Sequence, residues 1–294
     1  MHTLKESLDY GERFLNANSH SCENASFDAL YLLESATGLS KTMLLSFPDD
    51  TVAKDQFQAF KISLERRAKG EPLQYISGKT TFRFIDVFVE EGVLIPRPET
   101  EVLVQCILDD CATQDSRKLL AVDLCTGTGC IACSLVSEDK RFKVLATDIS
   151  AAAVSLAKKN VDALGLDSQV EVLQCDLGEG ISQQHYACID YIISNPPYIP
   201  SDVMRELPSE VANYEPELAL HGGLDGLDIY RRIMNWAKLA LRPGGLIAVE
   251  LHEHCLDKAC SIALDLGYIN VEVVKDLNGK DRILKANYQR KGGL

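Results

Sequence analysis

From Lys118 onward, short apolar runs alternate with stretches of helical period, and this alternation most narrows what the chain can fold into. Residues 119–124, 143–147, 170–173, 189–194 and 245–250 have strand length and apolar side chains on both faces. Strands of that kind must be covered on both sides, so the pattern predicts a mostly parallel α/β sheet with helices crossing between its strands. The stretch after Asp148 shows the helical half of the pattern: Ser150 as cap, Val154, Ala157, Val161 and Leu164 on one face, Gly165 as stop. Residues 268–275 and 282–286, joined through Asn278-Gly279, read as an antiparallel hairpin that closes the sheet.

Residues 1–75 carry only helical periodicity and predict a small bundle. Leu4, Leu8 and Phe14 form one stripe, Phe27, Leu30, Tyr31 and Glu34 a second, and Phe57, Phe60, Ile62 and Leu64 a third. Ser26 and Ser40 are the expected caps, with Gly38 and Gly70 as stops. Between them and the sheet, residues 81–89, a turn at Glu90-Glu91-Gly92 and residues 93–95 predict a linking β-hairpin, ended by Pro96 and Pro98. The expected division is a helical domain over 1–75, a hairpin linker over 76–101 and an α/β domain over 102–294.

A chain of 294 residues with 46% hydrophobic content has material for more than one core. Its net charge of −13 argues against sequence-independent binding to nucleic acid, where lysine and arginine on phosphates supply most of the affinity. Ten cysteines without framework spacing, and a start that interleaves Lys5, Glu6, Asp9, Glu12 and Arg13, predict a reduced, cytoplasmic protein. No apolar run approaches the roughly 18 residues of a membrane span, so no membrane association is expected.

Two segments carry chemistry. Asp123-Leu124-Cys125-Thr126-Gly127-Thr128-Gly129 follows the first strand and opens a helix, where glycines let a ligand approach backbone at a helix N-terminus. The spacing through Ala132 also matches G-x-G-x-x-A, which a dinucleotide site shares. Asp148, at the end of the second strand, is placed to accept ribose hydroxyls, and Asp176 to meet an adenine amino group. Asp123 would repel a pyrophosphate and suit a cationic ligand, which tilts the reading toward a sulfonium-bearing nucleoside and away from NAD.

The second segment is Asn195-Pro196-Pro197-Tyr198. Its prolines remove two backbone donors and hold the chain extended, so that carbonyls and the Asn195 side-chain oxygen converge as acceptors for a planar NH2 group. Tyr198 can cover the face of that group. Arg97, pinned between Pro96 and Pro98, is a rigidly held charge and a candidate substrate contact.

Taken together, the sequence resembles the release-factor glutamine methyltransferases (PrmC/HemK) among the class I S-adenosylmethionine-dependent methyltransferases. The resemblance rests on residues 71–78 (EPLQYISG), 95–101 (IPRPETE), 123–129, 195–198, Glu215-Pro216 with Ala219-Leu220, 223–227 (GLDGL) and 276–282 (DLNGKDR). It implies a Rossmann-like sheet with an antiparallel C-terminal strand, S-adenosylmethionine as cofactor, and methyl transfer to the side-chain amide nitrogen of the Gly-Gly-Gln glutamine of peptide chain release factors. It further implies that Asp123, Cys125, Thr126, Gly127, Thr128 and Gly129 line the cofactor loop, that Asp148 holds ribose and that Asp176 and Leu177 flank adenine. Asn195, Pro196, Pro197 and Tyr198 would hold the glutamine, and the helical domain would engage the release factor. Cys125 stands where the family usually has glycine, Leu177 where an aromatic residue is common, and residues 250–255 (ELHEHC) where the family carries Glu-x-Gly-x-x-Gln.

Other readings are weaker. Cys130 and Cys133 have redox or zinc spacing but lie at a predicted helix start without a second pair, and His252, His254 and Cys255 lack a partner carboxylate. An adenine-N6 methyltransferase would need the same acceptors for its NH2 group, but the acidic charge and the missing target-recognition domain weigh against it.

Overall fold

The computed structural model describes residues 2–19, 22–114 and 117–289. Backbone contacts divide the chain into two units: residues 1–79 with 208–214, and residues 80–207 with 215–294.

In the first unit, β1 (His2–Thr3) leads into α1 (Leu4–Asn18), followed by α2 (Ala25–Thr37), α3 (Lys41–Ser46), β2 (Thr51–Val52), α4 (Lys54–Ala68) and α5 (Leu73–Ser77). Leu4, Leu15, Leu32, Leu33, Phe60 and Leu64 form its core. Phe27 and Ile62, expected on apolar stripes, are about half exposed. The cap of α2 is Asn24, whose side chain accepts from the Phe27 amide, and not Ser26. Ser40 and Gly38 do hold the helix ends assigned to them. Buried Arg67 donates to Asp28 at 2.6 Å and pairs with Glu210 at 3.1 Å, which ties the 208–214 segment to α4.

The second unit begins with the hairpin β3 (Lys79–Phe82) and β4 (Ile85–Phe88). Its turn is at Arg83-Phe84, not at Glu90-Gly92, and residues 93–95 are not a strand. The reason is a side chain: Arg83 takes φ +51° at the turn while its guanidinium donates to Glu138 at 2.6 and 2.7 Å and to the Glu101 carbonyl at 2.9 Å. Then follow α6 (Pro98–Ala112), β5 (Leu119–Leu124), α7 (Cys130–Glu138), β6 (Phe142–Asp148), α8 (Ala151–Ala163), β7 (Val170–Gln174) and β8 (Ile189–Ser194). The short helices α9 (Ser209–Tyr214, grouped with the first unit) and α10 (Glu217–Leu220) precede α11 (Asp228–Ala240), β9 (Leu241–Glu250), α12 (Leu256–Asp265), β10 (Tyr268–Lys275) and β11 (Asp281–Tyr288).

The seven strands run in the order β10-β11-β9-β8-β5-β6-β7, with β11 antiparallel to its neighbours and the β5 to β9 group parallel. This is the class I methyltransferase sheet. Alternate residues of each strand feed two cores: Ala121, Val144 and Ile193 pack with α6, α7 and α8, while Val122, Ile192 and Ile247 pack with α11 and α12. The strand order reverses beside β5, so the carboxyl ends of β5, β6 and β8 open the crevice where such sheets bind ligands.

One buried side chain fixes the wall of that crevice. Asn160 of α8 accepts from the Phe88 amide at 2.7 Å and donates to the Phe88 and Thr128 carbonyls at 3.0 and 2.9 Å. All its polar capacity is matched and it is buried, so Asn160→Asp would set a carboxylate against two carbonyl oxygens. That substitution should lower unfolding free energy by about 3 kcal/mol or more; urea titration measures it, and a loss under about 0.5 kcal/mol, the range of an ordinary surface substitution, would contradict the assignment.

Candidate active site

The glycine-rich loop is built where β5 gives way to α7. Thr126 donates its amide to the Thr147 carbonyl at 2.9 Å, and the Gly127 amide donates to Asp148 Oδ2 at 2.9 Å. Asp148 Oδ1 accepts from the Ser150 amide at 2.9 Å, so one carboxylate ties the loop to the start of α8. Gly129 sits at φ +79°, and a β-carbon there would lie 3.2 Å from that of Ala157. A side chain there would press on Ala157 and strain the backbone, so glycine suits the close approach to α8. Cys125 adopts φ +59°, which explains why glycine suits it; a cysteine holds that geometry at a cost of about 1 kcal/mol.

A cavity of about 150 Å³ opens over this loop, lined by residues 92–96, Thr100, Cys125 to Thr128, Asp148 to Ser150, Asn195, Pro197, Pro216, Leu218 and Ala219. It continues into a cleft of about 460 Å³ lined by Asp176, Leu177, His221, Ile229 and Arg232. Cys125, Asp148, Ile149, Pro197 and Leu218 belong to both, so the two form one elongated site. Asp148 is mostly buried, and burial raises its carboxyl against the hydrogen bonds from Ser150 and Gly127 that lower it. Asp176 faces the cleft while paired with Arg232 at 2.8 Å, and Leu177, at φ +50°, supplies an apolar wall.

One expectation needs correction. Asp123 lines neither space: it is fully buried, and its Oδ2 accepts from the Thr126 hydroxyl at 2.5 Å. It braces the loop from beneath and does not face a cationic ligand, and burial pushes its carboxyl up to about 7. Arg97 is held in an ion pair. Its Nη2 donates to both oxygens of Glu215 at 2.6 Å, and Glu215 is buried, so this pair fastens Pro216 and the short helix α10 over the cavity.

The Asn195 corner leaves β8 beside the loop. Asn195 and Pro197 line the cavity and Pro196 is buried. Tyr198 is held from three directions. Its hydroxyl donates to Glu250 Oε1 at 3.0 Å, and the next amide, of Ile199, donates to the Leu220 carbonyl at 2.8 Å. Gly226, at φ +72°, packs so closely that a β-carbon there would lie 2.4 Å from the Tyr198 carbonyl oxygen. That contact gives the 223–227 motif its physical meaning.

Several site residues carried no sequence signal of their own. Val93, Leu94, Ile149, Leu218, His221, Ile229 and Arg232 line the space, and Thr100 and Glu250 lie against the Asn195 corner. Only their neighbourhood in the quoted motifs marked some of them. His252 precedes a short 3-10 turn at Glu253–Cys255, so His252 and His254 are not on a strand face. Among the described residues no three His, Cys, Asp or Glu side chains gather as a metal ligand set, and Cys130 and Cys133 are buried in the core on α7.

Two sequence families match the chain: one described as the PrmC N-terminal domain over residues 6–78, and one described as the methyltransferase small domain over residues 97–207. The release factor glutamine methyltransferase of Moorella thermoacetica is 38% identical over 98% of this chain and 99% of its own length. That of Clostridium acetobutylicum is 35% identical, covering 91% and 92%. The chain belongs to the release factor glutamine methyltransferase family. Among solved structures, a Pyrococcus furiosus methyltransferase covers 70% of this chain and 90% of its own with a TM-score of 0.52 at 19% identity. The human METTL16 catalytic domain covers 80% and 81% with a TM-score of 0.55 at 16% identity. Both share the sheet of this family. Among the described residues no helix is long and apolar enough to cross a membrane.

The Asp123 assignment has a pH signature. The unfolded chain ionises this carboxyl near 3.8 and the folded chain keeps its proton to about 7. Stability is therefore lost as pH rises through that window, at about 1.4 kcal/mol per pH unit. Asp123→Asn should be more stable than wild type at pH 8, by up to about 4 kcal/mol, and lose most of that advantage by pH 4. Urea unfolding at both values checks this; an advantage independent of pH contradicts it.

Proposed function

We propose that this protein methylates the side-chain amide nitrogen of the Gly-Gly-Gln glutamine in peptide chain release factors, using S-adenosylmethionine. The observation that carries the reading is the joining of the glycine loop and the Asn195-Pro196-Pro197-Tyr198 corner in one cavity, in a chain aligned end to end with relatives named for that reaction.

The residues present fit the cofactor. Asp148 offers two acceptor oxygens at the junction of both spaces, Ile149, Leu177 and Leu218 supply apolar walls for a base, and the loop brings backbone to the floor. Bound S-adenosylmethionine supplies an electrophilic methyl group. The chain must supply orientation, because a carboxamide nitrogen is a poor nucleophile whose lone pair is delocalised into its carbonyl. Asn195 Oδ1 and the Pro196 carbonyl each accept one N–H hydrogen of the glutamine amide, which fixes its plane and raises electron density at nitrogen. Pro197 and the fastened Tyr198 limit its tilt. The alkylated amide is strongly acidic, so its proton leaves after transfer and no side chain is required as general base. The helices α1 to α5 engage the release factor in this reading, and Arg97 acts on the substrate side by holding α10.

Intact-mass and fragment analysis of a bacterial release factor incubated with the protein and S-adenosylmethionine should show one methyl on the Gly-Gly-Gln glutamine. Asn195→Ala should reduce the rate by about 100-fold or more with the fold retained. Methylation of adenine-rich DNA with none on the release factor would replace this reading with the nucleic-acid one.

A further inference from the structure

The acceptor role of Asn195 has a condition that its own position does not meet. A carboxamide has an acceptor end and a donor end of nearly equal size, and the corner takes an NH2 group only if the oxygen faces the cavity. Turned over, Asn195 would aim two donors at a donor. Something outside the tetrapeptide must set its polarity.

That something is a chain of two hydrogen bonds, the first partly buried and the second buried, ending on a carboxylate. Asn195 Nδ2 donates to Thr100 Oγ1 at 3.0 Å, and Thr100 Oγ1 donates to Glu250 Oε2 at 2.7 Å. Thr100 is 2% exposed and Glu250 1%, so water does not compete for these groups. The other oxygen, Glu250 Oε1, is taken by the Tyr198 hydroxyl. The three partners arrive from different elements: Thr100 from the first turn of α6, Glu250 from the last residue of β9, and Asn195 from the residue after β8. Ser194 pairs in register with Val249, so the next residues, Asn195 and Glu250, leave adjacent strands side by side.

The logic of the chain is directional. An ionised carboxylate only accepts, and a hydroxyl has one hydrogen. Once Thr100 gives that hydrogen to Glu250, its oxygen can only accept from Asn195, and the atom facing it must be the nitrogen. We propose that Thr100 and Glu250 are positioning residues that lock the Asn195 amide with Oδ1 toward the substrate, and that Glu250 fixes Tyr198 through the same carboxylate. Burial raises the Glu250 carboxyl, and the hydrogen bonds from Thr100 and Tyr198, with Arg282 on the neighbouring β11, oppose that rise. The inference rests on the amide-methylating reading, since only a substrate NH2 group requires this polarity.

Two measurements test it. Neutron diffraction from the deuterium-exchanged protein, with neither cofactor nor release factor present, distinguishes ND2 from O at Asn195. Deuterons directed at Thr100 support the lock, and the oxygen facing Thr100 overturns it. In kinetics, Thr100→Val keeps the shape and removes the hydroxyl, and should lower kcat about 100-fold while the S-adenosylmethionine Kd stays near that of wild type; the buried Glu250 oxygen left without its donor should also lower the melting temperature by a few degrees. Thr100→Ser restores the hydroxyl and should recover kcat to within about threefold of wild type, as conserved orientation requires. Equal kcat for the valine and serine variants overturns the proposal. If the wild type fails to methylate the glutamine, the functional reading falls, and the diffraction result still decides the orientation of Asn195.

Discussion

The register of β5 against β8 is the constraint on which the site depends. Leu124 pairs with Ser194 as parallel neighbours, and the Ser194 hydroxyl donates to the Leu124 carbonyl at 2.8 Å. Parallel neighbours lie about 4.8 Å apart, so Cys125 and Asn195 leave the sheet side by side. The loop that meets a cofactor and the corner that meets an amide are therefore adjacent before any ligand arrives. A slip of one residue would turn every side chain of β8 to the other face and separate them.

Around that junction the chain spends its buried polar groups on holding backbone. Asp148 binds the loop to α8, Asn160 binds α8 to Phe88 and Thr128, and Asp123 braces Thr126 from below. The Arg97 and Glu215 pair fastens Pro216 and α10 over the cavity. Each is a polar contact that would be costly to break in a low-dielectric interior. The result is a preorganised crevice in which little must move when substrates bind, the condition under which acceptors act on a weak nucleophile.

Much of this was legible in the sequence. The strand period and the Asn278-Gly279 turn located the sheet because both depend on local chemistry, and the glycine loop and the Asn195 corner were marked by residues with few conformational choices. What escaped depends on partners distant in the chain. The hairpin turns at Arg83 because Glu138 and Glu101 hold its guanidinium, which no local turn signal announces. Asp123 read as a ligand group since its burial is decided by how the loop folds over it. Thr100 and Glu250 lie 150 residues apart and become a pair only when α6 packs beside β9.

The central claim is that the corner after β8 receives an amide NH2 through two acceptors. It is tested most directly by a crystal structure of the protein with S-adenosylhomocysteine and a glutamine-containing release-factor peptide. The account predicts the glutamine nitrogen within hydrogen-bonding distance of both Asn195 Oδ1 and the Pro196 carbonyl oxygen. A glutamine whose amide oxygen faces these groups, or one seated away from the corner, would contradict it.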